Sequence, residues 1–472
     1  MTVLNRQSGP CCQSVPNDVG ALDGRAGLDL SAVLAELGPA ATAAPRALAA
    51  VRSDRSGWFP AAGPLVLVRA RTVDDVRRTM KVASWHGLPV VTRGAGSGLA
   101  GAATAGPGVI VLDLSGMDRI LEINPVDGIA RLEPGVITAE LDRAAGEFGL
   151  FYAPDPGSVG ISTIGGNIAT NAGGLRGAKY GVTRDAVLAL DIVLADGTLV
   201  HLGHDTVKGV VGLDLVGLVV GSEGTLGVVV GATVRLLPRP VRVATAAAFF
   251  DSIADGAAAS IALATAGLRP TVIELVDGPT LAAIDDLRGS DLAAQGEAFL
   301  LVQTDGFGAA EEIAQVADVL NQTATAVRTT VDPAEALALS AARRDALPAI
   351  EARGRVLIED IAVPRSALGT AIEGVQAIAA ASGVQIYVFA HAGDGNVHPI
   401  IVLDPDAAAQ EAADQIFELA LSLGGTVSAE HGIGLLKRDW VLRELGPESL
   451  ALHRKIKSLF DPLGILNPDK AY

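Results

Sequence analysis

The 472-residue sequence predicts an α+β, or mixed α/β, chain with more than one domain. Its length exceeds what a single hydrophobic core usually supports. Apolar strand-like runs alternate with helical patterns along most of it. Aromatic residues are only 4% of the chain and small aliphatics dominate, which suits helix-on-sheet packing better than an aromatic-rich β-sandwich.

Residues 1 to 26 read as a polar tail without periodicity. A helical pattern runs from Leu28 to Leu48, and Pro64–Val68 reads as a strand. Thr72 is a helix N-cap with Asp75 at the capping-box position, and that helix ends near Gly87. Pro89–Thr92 and Val109–Leu114 are strands, followed by Ile129–Leu132, Ala189–Leu194 and Leu226–Leu237. Asp196-Gly197 predicts a hairpin turn between Ile192 and Val200. After Pro238-Arg239-Pro240 the character changes. An Ala-rich helix over Phe249–Ala266, strands at Thr271–Leu275 and Phe299–Gln303, and a helix over Ala309–Asn321 indicate a second domain, 241–430.

The formal net charge of −17 argues against a nucleic-acid partner. It is compatible with an anionic substrate, because local arginines or a metal can reverse the potential in one cleft. The two cysteines, Cys11 and Cys12, are adjacent and offer neither a disulfide framework nor a metal cluster. The first residues lack the apolar region of a secretory signal, and no segment reads as a transmembrane helix. A cytoplasmic protein is expected, with peripheral association at the inner membrane face left open.

Three glycine clusters stand out. The first, Arg93-Gly94-Ala95-Gly96-Ser97-Gly98-Leu99-Ala100-Gly101, contains a formal G-x-G-x-x-G. A dinucleotide site of that kind needs a helix starting in the loop. Here the chain continues into Gly106-Pro107-Gly108, which is poor helix material. A run of backbone N–H groups cradling a diphosphate without a helix is the better reading. The second cluster is Pro154-Asp155-Pro156-Gly157-Ser158 and then Thr163 through Gly174. Its glycines bring backbone close to a flat polar ligand, and its Asn and Thr side chains suit carbonyl and ring-nitrogen atoms. The third is Gly221-Ser222-Glu223-Gly224-Thr225-Leu226-Gly227.

In this order, across roughly residues 50 to 240, the clusters resemble the FAD-binding domain of the vanillyl-alcohol-oxidase/p-cresol-methylhydroxylase superfamily. The resemblance implies a PCMH-type FAD domain over 27–240, a substrate (cap) domain over 241–430 and a C-terminal segment, 431–472, packing back on the FAD domain. It also implies FAD contacts from Arg93, Gly94, Ala95, Gly96, Ser97, Gly98, Pro154, Gly157, Ser158, Thr163, Gly165, Asn167, Thr170, Gly173, Glu223 and Val228. Some relatives attach flavin through a His in the first loop; this loop has none, so FAD is expected to be non-covalent.

Of seven histidines, His391 and His398 flank the turn Gly393-Asp394-Gly395-Asn396, and His431 follows Glu430. The turn can fold back so that the first two imidazoles converge. Two imidazoles and a carboxylate with open positions form a common catalytic metal arrangement, accepting Zn²⁺, Mn²⁺ or Fe²⁺. Such an ion acidifies a bound hydroxyl, and a nearby imidazole can take the proton.

This second half resembles FAD-linked D-lactate, glycolate and D-2-hydroxyglutarate dehydrogenases. The resemblance runs on through Asp360-Ile361-Ala362-Val363-Pro364 to the closing Phe460–Lys470. It implies His391, His398 and Glu430 as ligands of a divalent metal, Zn or Mn, His431 as general base, and Arg343 as the grip on the substrate carboxylate. Arg344 is the competing choice. The hydroxyglutarate enzymes carry a lysine and an asparagine where this chain has Ile358 and Ile400, which points to D-lactate or glycolate. The expected reaction is oxidation of a small anionic D-2-hydroxy acid to the 2-oxo acid. The alternatives are D-2-hydroxyglutarate, another alcohol or lactone, or a non-catalytic FAD subunit of an electron-transfer complex. The electron acceptor is left open among a quinone, a cytochrome, an iron–sulfur subunit and dioxygen, and a homodimer is left open.

Overall fold

The computed structural model describes residues 28–403 and 406–472. Cys11, Cys12 and the expected tail over residues 1–26 lie outside them.

The N-terminal part holds two larger sheets and a two-stranded pairing of Leu150–Phe151 with Leu237–Pro238. In the first, Val66–Arg69, Ile110–Asp113 and Val90–Arg93 run parallel, and Ala41–Thr42 adds an antiparallel edge. The second is a five-stranded antiparallel sheet in which Val228–Arg235 lies between Ile129–Leu132 and Val187–Val193. The helix Val73–His86 starts with the predicted capping box, and Gly87 ends it in the left-handed region at φ 62°. Such a cap stabilises by about 1 kcal/mol. The predicted hairpin also forms, with Ile192 opposite Val200.

The helical pattern expected from Leu28 to Leu48 is broken. Asp29 caps Leu30–Leu37, Gly38 leaves the helix at φ 81°, and a second helix, Pro45–Ala50, begins at a proline. The apolar period continues across Gly38-Pro39, but the backbone cannot. Likewise, the helix expected from Phe249 starts only at Ile253. Ser252 caps it by accepting from Asp255 N, and Phe249 and Phe250 close the strand Val243–Phe250.

The C-terminal part is built on one eight-stranded sheet. Its strands alternate with helices, yet every pairing is antiparallel. One face buries Ile273, Leu275, Leu300 and Val302 together with side chains of the helices Ile253–Thr265, Ala309–Leu320 and Leu368–Ser382. The other buries Val276, Leu301, Phe389 and Ile400 with side chains of Gly278–Arg288 and Ala341–Glu351. This second face carries the candidate site.

The last residues return to the first sheet. Val90 N–H donates to Ile465 O at 2.7 Å and Asn467 N–H to Val90 O at 2.8 Å. Lys470 Nζ donates to the carbonyls of Ala102 and Thr104, and Asn467 Nδ2 to that of Glu223. The C-terminus thus ties the first glycine loop to the third.

Candidate active site

A cavity of about 680 Å³ runs between the glycine loops and the second sheet face. On one side it is lined by Gly94 to Gly98, Gly157, Ser158, Thr163, Gly165, Asn167, Thr170 and Glu223. On the other it is lined by Arg343, Phe389, His391, His398, Glu430 and His431.

The glycines are demanded by close approach. A Cβ on Gly94 would overlap Thr163 Oγ1, and one on Gly165 would come within 2.6 Å of Pro134 Cβ. The first glycine loop forms no helix, as expected. Within the second glycine segment, where the sequence pattern predicts no helix, Ile164–Thr170 is a helix. Thr163 Oγ1 accepts from Gly166 N at 3.2 Å, and Asn171 ends the helix at φ 54°. Its backbone therefore presents a helix edge to the cavity. Glu223, also at positive φ (53°), accepts from Ile433 N and Gly434 N, so its carboxylate pins the His431 loop. Burial raises the Glu223 pKa against those hydrogen bonds.

Four of the expected cofactor contacts do not line the cavity. The Arg93 guanidinium turns to Ser53 O at 2.9 Å. Pro154 is buried, and Val228 is at 0% exposure in the core, where Gly227 and Val229 form the wall instead. Strand alternation turns Val228 inward. Gly173 faces Glu430, whose Oε2 would lie 2.7 Å from a Cβ there.

The strands Ile386–His391 and Asn396–Val402 form a hairpin in which Phe389 pairs with His398 and His391 with Asn396. His391 and His398 therefore share a face, with ring centroids 4.9 Å apart. Glu430 Oε1 lies 3.6 Å from His391 Nε2 and 3.5 Å from His398 Nε2, and His431 Nε2 is 3.9 Å from it. Glu430 Oε2 and His431 Nδ1 are buried and unpartnered. Burial opposes charge on His391, but Glu274 and Glu430 prevail and raise its pKa well above the usual value. His398 is pushed down to about 3 by burial and by the charge of His391. Burial would raise Glu430, yet the hydrogen bond and charge of His391 hold it below the usual carboxylate range.

The donor set fits a divalent cation. Ligand atoms around a tetrahedral ion with bonds of ~2.0–2.1 Å are roughly 3.4 Å apart, close to the spacings found here. Glu430 Oε2 provides a free buried acceptor. His391 Nδ1 meets Glu274 Oε1 at 2.6 Å, the outer-shell contact that fixes a ligating imidazole with Nε2 outward. Asp360, His398 and His431 form a second set of convergent ligand atoms. There, however, Asp360 Oδ2 already accepts from Ser428 Oγ and from the backbone N–H of Ala429, Glu430 and His431. Burial alone would raise the pKa of Asp360, but His431 and Lys437 hold it far below the usual range.

Arg343 lies on the helix Ala341–Glu351 and donates through Nε to Glu274 Oε2 at 2.6 Å, with its guanidinium 4.1 Å from the Phe389 ring centre. Arg344 is exposed and also reaches the cavity. Sequence reasoning missed Glu274. A carboxylate in the middle of the apolar run Val272–Val276 was the available signal, since buried charge needs a partner. Asp360 shows in the sequence only within the run Asp360–Pro364, because the loop it organises lies 70 residues away at Glu430.

Residues 64–203 match the family described as an FAD binding domain, and residues 239–471 match that of the FAD linked oxidases, C-terminal domain. The glycolate oxidase subunit GlcD of Bacillus subtilis is 40% identical over 87% of this chain and 89% of its own length. The chain belongs to the FAD-linked oxidase family. Another relative, a D-lactate dehydrogenase of Archaeoglobus fulgidus, is 35% identical over 87% of this chain and 92% of its own. Among solved structures, p-cresol methylhydroxylase aligns with a TM-score of 0.76 at 17% identity, covering 94% of this chain and 95% of that one. The fold of this FAD-linked oxidase is thus PCMH-type, and the chain is an FAD-linked oxidoreductase. No helix among its described residues is long and apolar enough to cross a membrane.

Proposed function

We propose that this FAD-linked oxidase acts on a CH–OH donor, oxidising a D-2-hydroxy acid, D-lactate or glycolate, to the 2-oxo acid. One observation carries the reading: the glycine-walled cavity also holds the His391–His398–Glu430 centre, with His431 and Arg343 on the same wall. The names of the relatives, glycolate oxidase subunit and D-lactate dehydrogenase, support the substrate class.

The chemistry supplied by the bound groups is hydride acceptance at flavin N5 and, from a divalent ion such as Zn²⁺ or Mn²⁺, acidification of the substrate hydroxyl. The glycine loops hold the FAD, and His391, His398 and Glu430 hold the ion. Glu274 orients two groups at once, His391 through Oε1 and Arg343 through Oε2. With Nε so engaged, the Arg343 Nη atoms grip the substrate carboxylate. His431 takes the hydroxyl proton on its imidazole. Ile358 on the cavity wall pairs with Ile400 across the strands, an apolar rung that suits a monocarboxylate better than a dicarboxylate.

The test is anaerobic bleaching of the flavin by 2-hydroxy acids, before and after EDTA. Bleaching by D-lactate or glycolate that chelation abolishes and Zn²⁺ or Mn²⁺ restores is expected. His431→Ala should bind FAD and leave it oxidised. Wild-type reduction rates in that variant would remove His431 from the mechanism.

A further inference from the structure

The chain that follows the second glycine cluster crosses to the C-terminal domain and lies against the three ligand candidates. Residues 173–180 belong to the part matched as an FAD binding domain, whereas Asp305, Gly393, Asp394 and Glu430 belong to the part matched as the C-terminal domain. A Cβ added to Gly173 would lie 2.7 Å from Glu430 Oε2, one on Gly177 2.9 Å from Asp394 Oδ2, and one on Gly393 2.7 Å from the Ala178 Cβ. The strap 173–180 therefore touches both the third ligand and the turn that joins His391 to His398.

That turn has little shape of its own. Gly393 and Gly395 leave its backbone permissive, with Gly395 at φ 85°. The strap has little either. Its helix Gly177–Tyr180 is four residues long, starts at a glycine and has no side-chain cap, far below the length at which a helix holds by itself. Its position must come from its anchors. At one end Arg176 N–H donates to Asp155 Oδ1 at 3.0 Å, and Arg176 Nε meets Asp155 Oδ2 at 3.1 Å. At the other, both oxygens of Asp305 are engaged. Lys179 Nζ donates to Oδ1, and the Tyr180 hydroxyl to Oδ2 at 2.7 Å. Asp305 closes the strand Ala298–Asp305, and its side chain is 5% exposed. A carboxylate withdrawn this far from water needs partners, and the strap supplies them. Burial and the Asp305 carboxylate raise the Tyr180 pKa, so the hydroxyl stays a donor. The Tyr180 ring packs edge-on against Phe151, with centroids 5.4 Å apart.

We infer that Asp305 is a positioning residue for the metal centre. By gripping Lys179 and Tyr180 it holds the strap against Gly393, Asp394 and Glu430, and so sets the spacing of His391, His398 and Glu430. The inference rests on reading those three as the ligands of a divalent ion. A carboxylate of the C-terminal domain thus acts on the ligands of the same domain through a segment of the other one.

The experiment uses the FAD-loaded enzyme, stripped of metal and titrated with Co²⁺, whose visible absorption reports the geometry of its ligands. Chelator competition gives the Kd. Asp305→Asn and Tyr180→Phe each loosen the anchor, and Tyr180→Phe is the milder change, removing a single hydroxyl. Both should raise the Co²⁺ Kd about 10-fold, the lower end of the range for outer contacts of metal ligands, and alter the Co²⁺ bands, with FAD content at the wild-type level. Because both act on one anchor, the double variant should lose less than the two singles combined. Wild-type Co²⁺ affinity and bands in both variants would overturn the role of Asp305 and spare the reading of the centre. A lower melting temperature with an unchanged Co²⁺ spectrum would do the same, leaving the contact structural only. Wild-type enzyme that takes up no Co²⁺, or uptake that His398→Ala leaves intact, would overturn both.

Discussion

Asp360 and His431 are joined by a hydrogen bond from the His431 backbone N–H to Asp360 Oδ2 at 3.0 Å. The same oxygen takes the N–H of Ala429 and Glu430 and the hydroxyl of Ser428. One carboxylate thus folds the loop that presents both the third metal-ligand candidate and the candidate base. Asp360→Ala takes this acceptor from the three backbone N–H groups, at about 1–3 kcal/mol for each buried one, while the Ser428 hydroxyl keeps Gly432 O at 3.1 Å. The expected result is destabilisation of about 3 kcal/mol or more in denaturant unfolding, with loss of substrate-driven flavin bleaching. Asp360→Asn keeps one acceptor oxygen and should lose less. Equal stability of Asp360→Ala and wild type would show that the loop is held by other means.

The contrast between Asp360 and Glu274 shows what the sequence could yield. His391, His398, Glu430 and His431 are legible because a short turn brings two of them together and histidine is scarce in the chain. The capping box at Thr72 and the turn at Asp196-Gly197 are legible because their chemistry is local. Glu274 is 117 residues from His391 and 69 from Arg343, so only the strand order brings it between them. The antiparallel course of the second sheet is hidden for the same reason: alternating strands and helices do not reveal which strands pair. Ile164–Thr170 was obscured by its glycines, whose low helix propensity is overridden by the Thr163 cap and by packing of Ile164 and Ile168 in the core.

Glu274→Gln should separate orientation from folding. The amide keeps the shape but loses the charge that holds both His391 and Arg343. Loss of an outer-shell carboxylate typically costs 10–100-fold in metal affinity. Chelator competition should therefore show weaker Zn²⁺ retention, and KM for the acid should rise as Arg343 is released. Unchanged metal retention would mean that Glu274 serves packing alone.

The contact between Gly94 and Thr163 makes a double-mutant cycle. Gly94→Ala alone drives a methyl into Thr163 Oγ1 and should lower both stability and FAD retention. Thr163→Ala alone removes a helix cap, at about 1 kcal/mol. With Oγ1 gone, the nearest atom to the added Cβ is the Thr163 Cβ at 3.4 Å, an ordinary contact. The double variant should therefore be less damaged than the two single losses added together. Simple additivity in thermal unfolding would mean that the two loops do not touch as described.

Asp277 gives a pH prediction. It is fully buried, caps the helix Gly278–Arg288 through Thr280 N, and accepts from Val388 N. Burial raises its pKa to about 6, and those hydrogen bonds offset only part of the shift. The unfolded value is about 3.9. Between pH 4 and 6 the folded state therefore binds more protons than the unfolded state, and stability falls as pH rises. The contribution is complete below about pH 4 and lost above about pH 6, a change of roughly 3 kcal/mol. Asp277→Asn cannot ionise, so its stability relative to wild type should improve by a comparable amount across that window, whatever offset the lost Val388 contact introduces. Urea unfolding at half-unit steps from pH 4 to 7 measures the difference. Parallel curves for the two proteins would mean that Asp277 titrates alike in both states, and that its two hydrogen bonds fully compensate its burial.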